Sequence, residues 1–333
     1  MMQNYYITAG SLFVLTIMIL ALIIIKRYLL KIQQEIIIKN KLIEEYEAEI
    51  ERKSRAVESL TCLYNETVES AKAKTNFFID ITHELKTPLN VIISALQLIE
   101  HKNLSEKNDY EKVKNLLKII KSNSYSLMRL VNNVLDVARS DSGCLEFNPV
   151  NCNIVAITHN IVKSTAPYAE QKDICLDFNS GCAEIYADID IEKYEKIVLN
   201  LLSNAVKYTK NGDKVSISLS ENDEFVRLSV KDNGPGIPEN MHSAIFEKFR
   251  QSKENLTKIH EGSGIGLSIV KSFVELHNGI VRVVSKENAG AEFIVELPKK
   301  QYTNKAGINN CIINDTEHTA MLTAVELSGT RLN

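Results

Sequence analysis

Charge of one sign, paired cysteines and helix breakers are scarce in this chain, and each scarcity excludes something. The 333 residues carry a formal net charge of −3. A nucleic-acid binder draws its affinity from neutralising phosphates, so the lack of a basic excess argues against direct nucleic-acid binding. The six cysteines (Cys62, Cys144, Cys152, Cys175, Cys182 and Cys311) include no CxxC pair. They read as free thiols, and a disulfide framework is not expected. No Gly-Lys-Ser/Thr phosphate loop occurs, so the P-loop pattern is absent. Neither proline nor glycine interrupts residues 26–87, so nothing there breaks a long helix.

One segment lacks charge altogether. Ile7 to Ile25 is nineteen residues without Asp, Glu, Lys or Arg. As a helix it would be roughly 28 Å long, close to the hydrocarbon thickness of a bilayer. Lys26, Arg27 and Lys31 follow at once, while no charged side chain precedes it. That order is the reverse of a cleaved signal peptide. It predicts a single-pass anchor over 1–26 in a cell membrane, with the C-terminal bulk cytoplasmic. So short a leading segment leaves no room for an extracellular sensor domain.

Residues 27–76 predict a helical coiled-coil linker. Leu29, Ile36, Ile43, Ile50, Val57, Tyr64, Ala71, Phe78 and Leu85 recur every seventh residue. The companion positions Lys39, Lys53, Thr67 and Lys74 are polar, so one seam is strong and the other weak. A marginal coiled coil follows. The frame runs on into "ITHELKTPLN", where Phe78, Ile81 and Leu85 are expected in the seam and His83 on the outer face. Pro88 removes a helix N–H and predicts a bend or a loosened turn. A second amphipathic helix is expected from roughly Tyr110 to Ser140, carried by Val113, Leu116, Leu117, Ile120, Leu127, Leu130, Val134 and Val137. Two such helices over 77–142 expose more apolar face than one hairpin buries, which predicts a homodimeric four-helix bundle.

From residue 143 to 300 the pattern becomes α/β. "KVSISLS" and "FVRLSVK" alternate with period two, as half-buried strands do, and helices are expected at Ile191 to Tyr208 and after Gly264. This is a two-layer α/β sandwich. Residues 301–333 are polar with a small apolar patch at Ala324 to Leu327, and read as a loosely ordered tail of unknown role.

Four constellations in the α/β part carry chemistry. Asn200, Asn204 and Lys207 lie on one face of an otherwise apolar helix. Amide oxygens are hard ligands for Mg²⁺, and lysine supplies charge for phosphate. A polar solvent face is the plainer alternative. In "VKDNGPGIP", Asp232 ends a strand before Gly234 and Gly236, which allow close backbone approach to a ligand. In "HEGSGIGLSIV", Gly262, Gly264 and Gly266 precede a helix whose N–H groups form an anion site. No βαβ unit surrounds them, so the dinucleotide fingerprint does not apply. "IFEKFRQSKENLTKIH" places Phe246 and Phe249 at the head of a long polar loop, a lid candidate.

Each signal alone is weak, but their fixed order resembles the sensor histidine kinases of two-component systems over roughly Phe77 to Pro298. The resemblance implies a dimerisation and phosphoacceptor hairpin followed by an ATP-binding domain of the Bergerat (GHKL) fold. It implies that His83 is the phosphoacceptor, that Glu84 orients it or takes its proton, and that Thr87 positions water for regulator dephosphorylation. Asn204 matches the Mg²⁺ ligand. Asn200, Lys207, Tyr208, Asp232, Gly234, Gly236, Phe246, Phe249, Arg250, Gln251, Gly262, Gly264, Gly266 and Leu267 match positions that bind ATP, with Asp232 on adenine. Either Arg250 or Gln251 would meet phosphate. The implied partner is a separate cytoplasmic response regulator with an acceptor Asp. The ATPases that share this fold place a Glu four residues before the metal-binding Asn as a base for water. Here that position is Asn200, which favours transfer to a side chain over hydrolysis.

Overall fold

The structure is a computed structural model that describes residues 2–100, 107–247, 264–299 and 316–329. The side chains of 2–15, 107–109, 316–318 and 329 lie outside the description. The chain divides into two compact units, Met1–Lys72 and Ala73–Asn333.

In the first unit the chain is helical from Met2, the start of α1 (Met2–Glu100). Intrahelical pairs such as Lys53–Glu49 (2.6 Å) line its surface, each worth only a few tenths of a kcal/mol, about 0.3–0.5. Every described heptad position from Leu29 to Tyr64 is exposed. Among the described residues no helix is long and apolar enough to cross a membrane. The uncharged run Ile7 to Ile25 falls partly outside them, because the side chains before residue 16 are not described.

The second unit begins with a helical hairpin. The end of α1 pairs with α2 (Lys107–Asp141), whose polar and apolar faces are well separated. Lys74 Nζ reaches Asp141 Oδ2 at 3.4 Å, which sets the antiparallel register. Phe77, Ile81, Ala95, Leu130 and Val137 are buried. The expected seam holds at Ile81, which is buried, and at Leu85, which is half-buried against the core, and differs at one position. Phe77 packs inward, whereas Phe78 remains 61% exposed, on a face that the hairpin itself does not cover. The helix also continues through Pro88, which is buried. Proline costs the ladder one N–H, but helix on both sides and packing below hold the backbone helical.

The α/β layer follows. A five-stranded sheet has the order β2-β4-β5-β7-β6, formed by β2 (Cys175–Ser180), β4 (Lys214–Glu221), β5 (Phe225–Asp232), β7 (Ala291–Pro298) and β6 (Ile280–Ser285). Only β2 and β4 run parallel. A two-stranded antiparallel ribbon joins β1 (Val150–Asn153) to β3 (Tyr186–Ile189). Helices α3 (Ile154–Glu170), α4 (Ile191–Tyr208) and α5 (Gly266–Leu276) complete the core with the sheet. Strand residues Val215, Ile217, Leu219, Val226, Leu228, Val230, Val295 and Leu297 alternate inward, as period two requires. α4 is the most enclosed helix: Ile197, Val198, Leu199, Leu201, Leu202 and Val206 are all buried completely.

Caps place these helices. Asn153 Oδ1 accepts from the Val155 N–H (3.1 Å) to start α3, and Asp190 Oδ1 accepts from the Lys193 N–H (3.2 Å) to start α4. Asp190 Oδ2 also accepts from the Asn148 N–H (3.0 Å), which ties the segment leaving the hairpin to the helix. The tail differs from expectation as well. Residues 316–326 form α6 (Thr316–Glu326), and a 3₁₀ turn (Leu327–Gly329) follows it. Thr319, Thr323, Val325, Glu326 and Leu327 are buried, because the small apolar patch finds a seat in the fold. Residues 301–315 lie outside the description. Among the described residues Cys62, Cys144, Cys152, Cys175 and Cys182 are free thiols.

His277 locks the base of the layer. Its Nε2 accepts from the Asp190 N–H (3.1 Å), so the proton sits on Nδ1, which donates to the Phe273 carbonyl (2.7 Å). Burial holds the imidazole below its ordinary pKa, against the pull of those bonds. A folded value below the unfolded one means that the stabilisation is complete above the ordinary value near 6.5 and is lost as pH falls through it. The thermal midpoint should therefore drop from about pH 7.5 to about pH 5.5, and His277→Asn should flatten that slope. The substitution should also cost about 1–3 kcal/mol at neutral pH, read by urea denaturation.

Candidate functional site

The hairpin presents its histidine to solvent. His83 is exposed on α1, and Glu84 beside it is half-buried. Thr87 lies one turn on, with its Oγ1 donating to the His83 carbonyl at 3.3 Å. Thr82 makes the same back-bond to the Phe78 carbonyl at 2.7 Å. All three expected residues, His83, Glu84 and Thr87, therefore share one short stretch of accessible helix.

In the α/β layer the structure brings together residues far apart in sequence. Asn200 is 7% exposed and donates through Nδ2 to the Lys196 carbonyl at 2.9 Å. Its Oδ1 lies against the start of α5. A Cβ on Gly266 would come within 2.6 Å of that oxygen, so a larger residue there would push the Asn200 amide aside. Among the described residues no side chain caps α5 at Ile265, which leaves its first-turn N–H groups for an anion. Gly264 sits at φ +64 in the turn leading to it, and Leu267 is half-buried on its first turn.

Further along α4, Asn204 and Lys207 are half-buried and Tyr208 is partly exposed. The Lys207 ammonium stands 5.1 Å from the centre of the Tyr208 ring. Burial raises the Tyr208 phenol above its ordinary pKa. The Tyr208 carbonyl meets the turn after β5: a Cβ on Gly234 would lie 2.9 Å from it and 2.8 Å from Asp232 Oδ1. Asp232 is 6% exposed. Its Oδ1 accepts from the N–H of Gly234 (2.8 Å) and of Ala291 (3.3 Å). Burial pushes the carboxyl up, and the two N–H groups oppose that shift by favouring the carboxylate. The hydroxyl of Thr209, buried beside Tyr208, has no hydrogen-bond partner among the described residues.

The turn that carries Asp232 is held from the β6–β7 side. Gly236 adopts φ +72 with its α-carbon against the Lys286 carbonyl, and Gly290 adopts φ +81 against the Asp232 carbonyl. Ser285 Oγ accepts from the Ile237 N–H (2.8 Å) and donates to the Gly290 carbonyl (2.7 Å). Sequence reasoning misses Gly290 and Ser285. The only signal is the Asn-Ala-Gly turn in "KENAG", common in any β protein. Phe246 is buried and meets Phe293 edge-on, with ring centres 6.3 Å apart. Phe249, Arg250, Gln251 and Gly262 lie outside the described residues.

The site suits a nucleotide. It offers a buried carboxylate for an amine donor, backbone brought close by glycines, an uncapped helix start for phosphate, and an orphaned buried hydroxyl. For a divalent cation it offers less. Among the described residues no group of three or more His, Cys, Asp or Glu converges, so a cation would rest on Asn204 and on phosphate oxygens, as Mg²⁺ commonly does. Gly290→Ala should destabilise the layer by about 1–3 kcal/mol in urea, because it combines a positive φ with a backbone collision. Gly212→Ala, also at positive φ but in open space, should cost less.

Two families match the chain. "His Kinase A (phospho-acceptor) domain" matches residues 73–143, and "Histidine kinase-, DNA gyrase B-, and HSP90-like ATPase" matches 189–301. The chain is 37% identical over 257 residues to the hybrid signal transduction histidine kinase D of Dictyostelium discoideum, covering 76% of this chain and 16% of that one. It is 37% identical over 227 residues to the sensor histidine kinase TmoS of Ectopseudomonas mendocina, covering 68% and 23%. Sensor protein SrrB of Staphylococcus aureus is 32% identical, covering 68% and 38%. Each match thus spans well under half of the relative's length. Among solved structures, full-length ShkA in complex with AMPPNP aligns with a TM-score of 0.51 and 28% identity, over 66% of this chain and 45% of that one. With a phosphoacceptor hairpin and a GHKL-type ATP-binding layer in the order that its relatives share, the chain belongs to the sensor histidine kinases.

Proposed function

We propose that this chain is a membrane-anchored, homodimeric histidine autokinase. It moves the γ-phosphoryl group of ATP to Nε2 of His83 and then to an Asp of a separate cytoplasmic response regulator. The observation that carries the reading is the pairing, within one folded unit, of an exposed helical histidine with a glycine-cradled nucleotide site around Asp232.

In the first step the Nε2 lone pair forms the N–P bond while the bond from γ-phosphorus to the bridging oxygen breaks, and ADP leaves with that electron pair. The ring then carries positive charge, which the Glu84 carboxylate stabilises before accepting the Nδ1 proton. The Asp232 carboxylate takes the exocyclic amine of adenine. The N–H groups at the start of α5, with Lys207, hold phosphate oxygens. Asn204 would hold a Mg²⁺ ion, which would supply positive charge against the phosphates. Arg250 or Gln251, outside the described residues, is the further phosphate contact in this reading. Asn200 is an amide whose N–H group is committed to the Lys196 carbonyl. It offers no base for water, which favours transfer over hydrolysis.

The dimer reading rests on apolar side chains left open by the hairpin: Phe78, Leu89 and Leu96 on α1, and Leu117, Val131 and Leu135 on α2. A second copy covers them in a four-helix bundle. The anchor reading rests on the uncharged run from Ile7 and on the cations after it. The expressed full chain should sediment with membranes and resist alkaline extraction, and recovery in the soluble fraction would refute the anchor.

Incubation with γ-labelled ATP should leave an acid-labile, base-stable label on the wild type and none on His83→Gln. Label that survives this substitution places the acceptor elsewhere, and phosphate release without label supports an ATPase. Thr87 lies one turn beyond His83, where its hydroxyl orients water for regulator dephosphorylation. Thr87→Ala should slow loss of phosphate from the regulator by about tenfold or more while autophosphorylation changes little. Equal rates would remove the phosphatase reading.

A further inference from the structure

Residues 316–329 lie beyond both family matches, and no step above uses them. Yet the segment is seated among three helices. The Thr323 and Ser164 hydroxyls meet at 2.6 Å, joining α6 to α3. Thr319 Oγ1 donates to Glu195 Oε1 on α4 at 3.5 Å. Ser126 Oγ on α2 donates to the Ser328 carbonyl at 3.4 Å. Val325 and Leu327 are buried, and Leu322 packs on the main core.

Two details give this seat a consequence. The carbonyl of Glu326 accepts from Arg129 Nη1 on α2 (3.4 Å) and from Ser203 Oγ on α4 (3.3 Å). One backbone oxygen thus stands between the hairpin and the ATP-binding layer, and its donor on α4 is the residue before Asn204. The second detail is height along the hairpin. Lys74 pairs with Asp141, so equal steps along antiparallel helices bring His83 level with Asn132 and Lys86 level with Arg129. The segment therefore meets α2 from about one helical turn beyond the His83 level, at Arg129, to nearly two turns beyond it, at Ser126.

We propose that Thr316–Gly329 is an autoinhibitory wedge that keeps the nucleotide end of α4 from closing on the hairpin at His83. This rests on the autokinase reading above. The ATP-binding layer is otherwise joined to α2 at a different point, where Lys196 Nζ meets Asp136 Oδ2 at 2.9 Å and Ser140 Oγ donates to Ser272 Oγ at 3.0 Å. Both contacts lie toward the base of the hairpin, where Phe77 and Val137 also join the core of the layer, and in this proposal that base is the pivot. The wedge blocks the swing at its far side. Its seat is built to release. The Glu326 carboxyl is buried, and burial pushes it up to about 6. Arg129 and Lys196 pull it down, and Asp136 pushes it up. At neutral pH the wedge thus holds a buried carboxylate, which offsets part of its apolar packing.

The test compares three forms of the chain: full length, a stop after Lys299, and full-length Thr323→Arg. The last keeps the full length of the tail but forces a charge into its seat. Three quantities are read: the initial rate of phosphohistidine formation with Mg-ATP, the affinity for a fluorescent ATP analogue, and the separation of spin labels at Lys118→Cys and Lys231→Cys, with the exposed native cysteines changed to serine. Both altered forms should phosphorylate about fivefold faster or more, with nucleotide affinity unchanged and the label separation broadened. An unchanged or slower rate with intact nucleotide binding overturns the wedge. If no form takes label, the autokinase reading fails, and the separation alone decides: a distribution unchanged by truncation overturns the wedge, and a broadened one supports it.

Discussion

Backbone meeting backbone around Asp232 is the constraint on which the site depends. The turn after β5 must pass within van der Waals reach of the Tyr208 carbonyl on one side and of the β6–β7 turn on the other. A Cβ at Gly234, Gly236 or Gly290 would end that approach. Only with it in place does Oδ1 of a buried carboxylate collect two N–H groups, one from its own turn and one from the neighbouring strand β7. The burial that raises its pKa also makes the carboxylate strong toward an amine donor.

α4 turns that local cradle into a machine part. Its inward face is wholly buried and fixes it to the sheet, while its remaining face carries a sequence of tasks along one axis. Lys196, half a helix from the site, reaches the hairpin through Asp136 and also stands 5.8 Å from the Phe273 ring centre. Asn200 receives the start of α5, and Asn204 with Lys207 faces the phosphates in the proposed cycle. The same rigid rod thus links hairpin, wedge and nucleotide. A shift at one end is felt at the other without any intermediate wire of side chains.

The strongly periodic elements were legible. The amphipathic α2, the strands β4 and β5, and the glycine-led α5 follow from spacing alone, because each buries one clear face. α3 and β1 were not legible. Pro167 lies inside α3 and breaks its local signal, yet Ile154, Ile157 and Ile161 pay no penalty once packed on α4. The seam of the hairpin is a finer failure. Phe77 and Phe78 are adjacent aromatics, and a heptad count selects the second. Packing within the hairpin selects the first, which lies about 100° around the helix from the second. Ser285 and Gly290 were invisible because their role is to support another turn, and no linear spacing encodes that.

What the sequence by itself determined was chemistry in order: an exposed histidine in a helix, amides on a second helix, an aspartate before glycines, and glycines before a helix. These are local patterns, and local steric and hydrogen-bonding rules suffice to read them. What only the tertiary structure decided was which of them touch. It set Gly266 against Asn200 and Gly234 against Tyr208, and it seated the C-terminal residues between α2 and α4. A polar segment with one short apolar patch carries too little periodicity to predict a fold of its own. Its helix exists because surfaces of three other helices, distant in sequence, supply the buried face that it lacks.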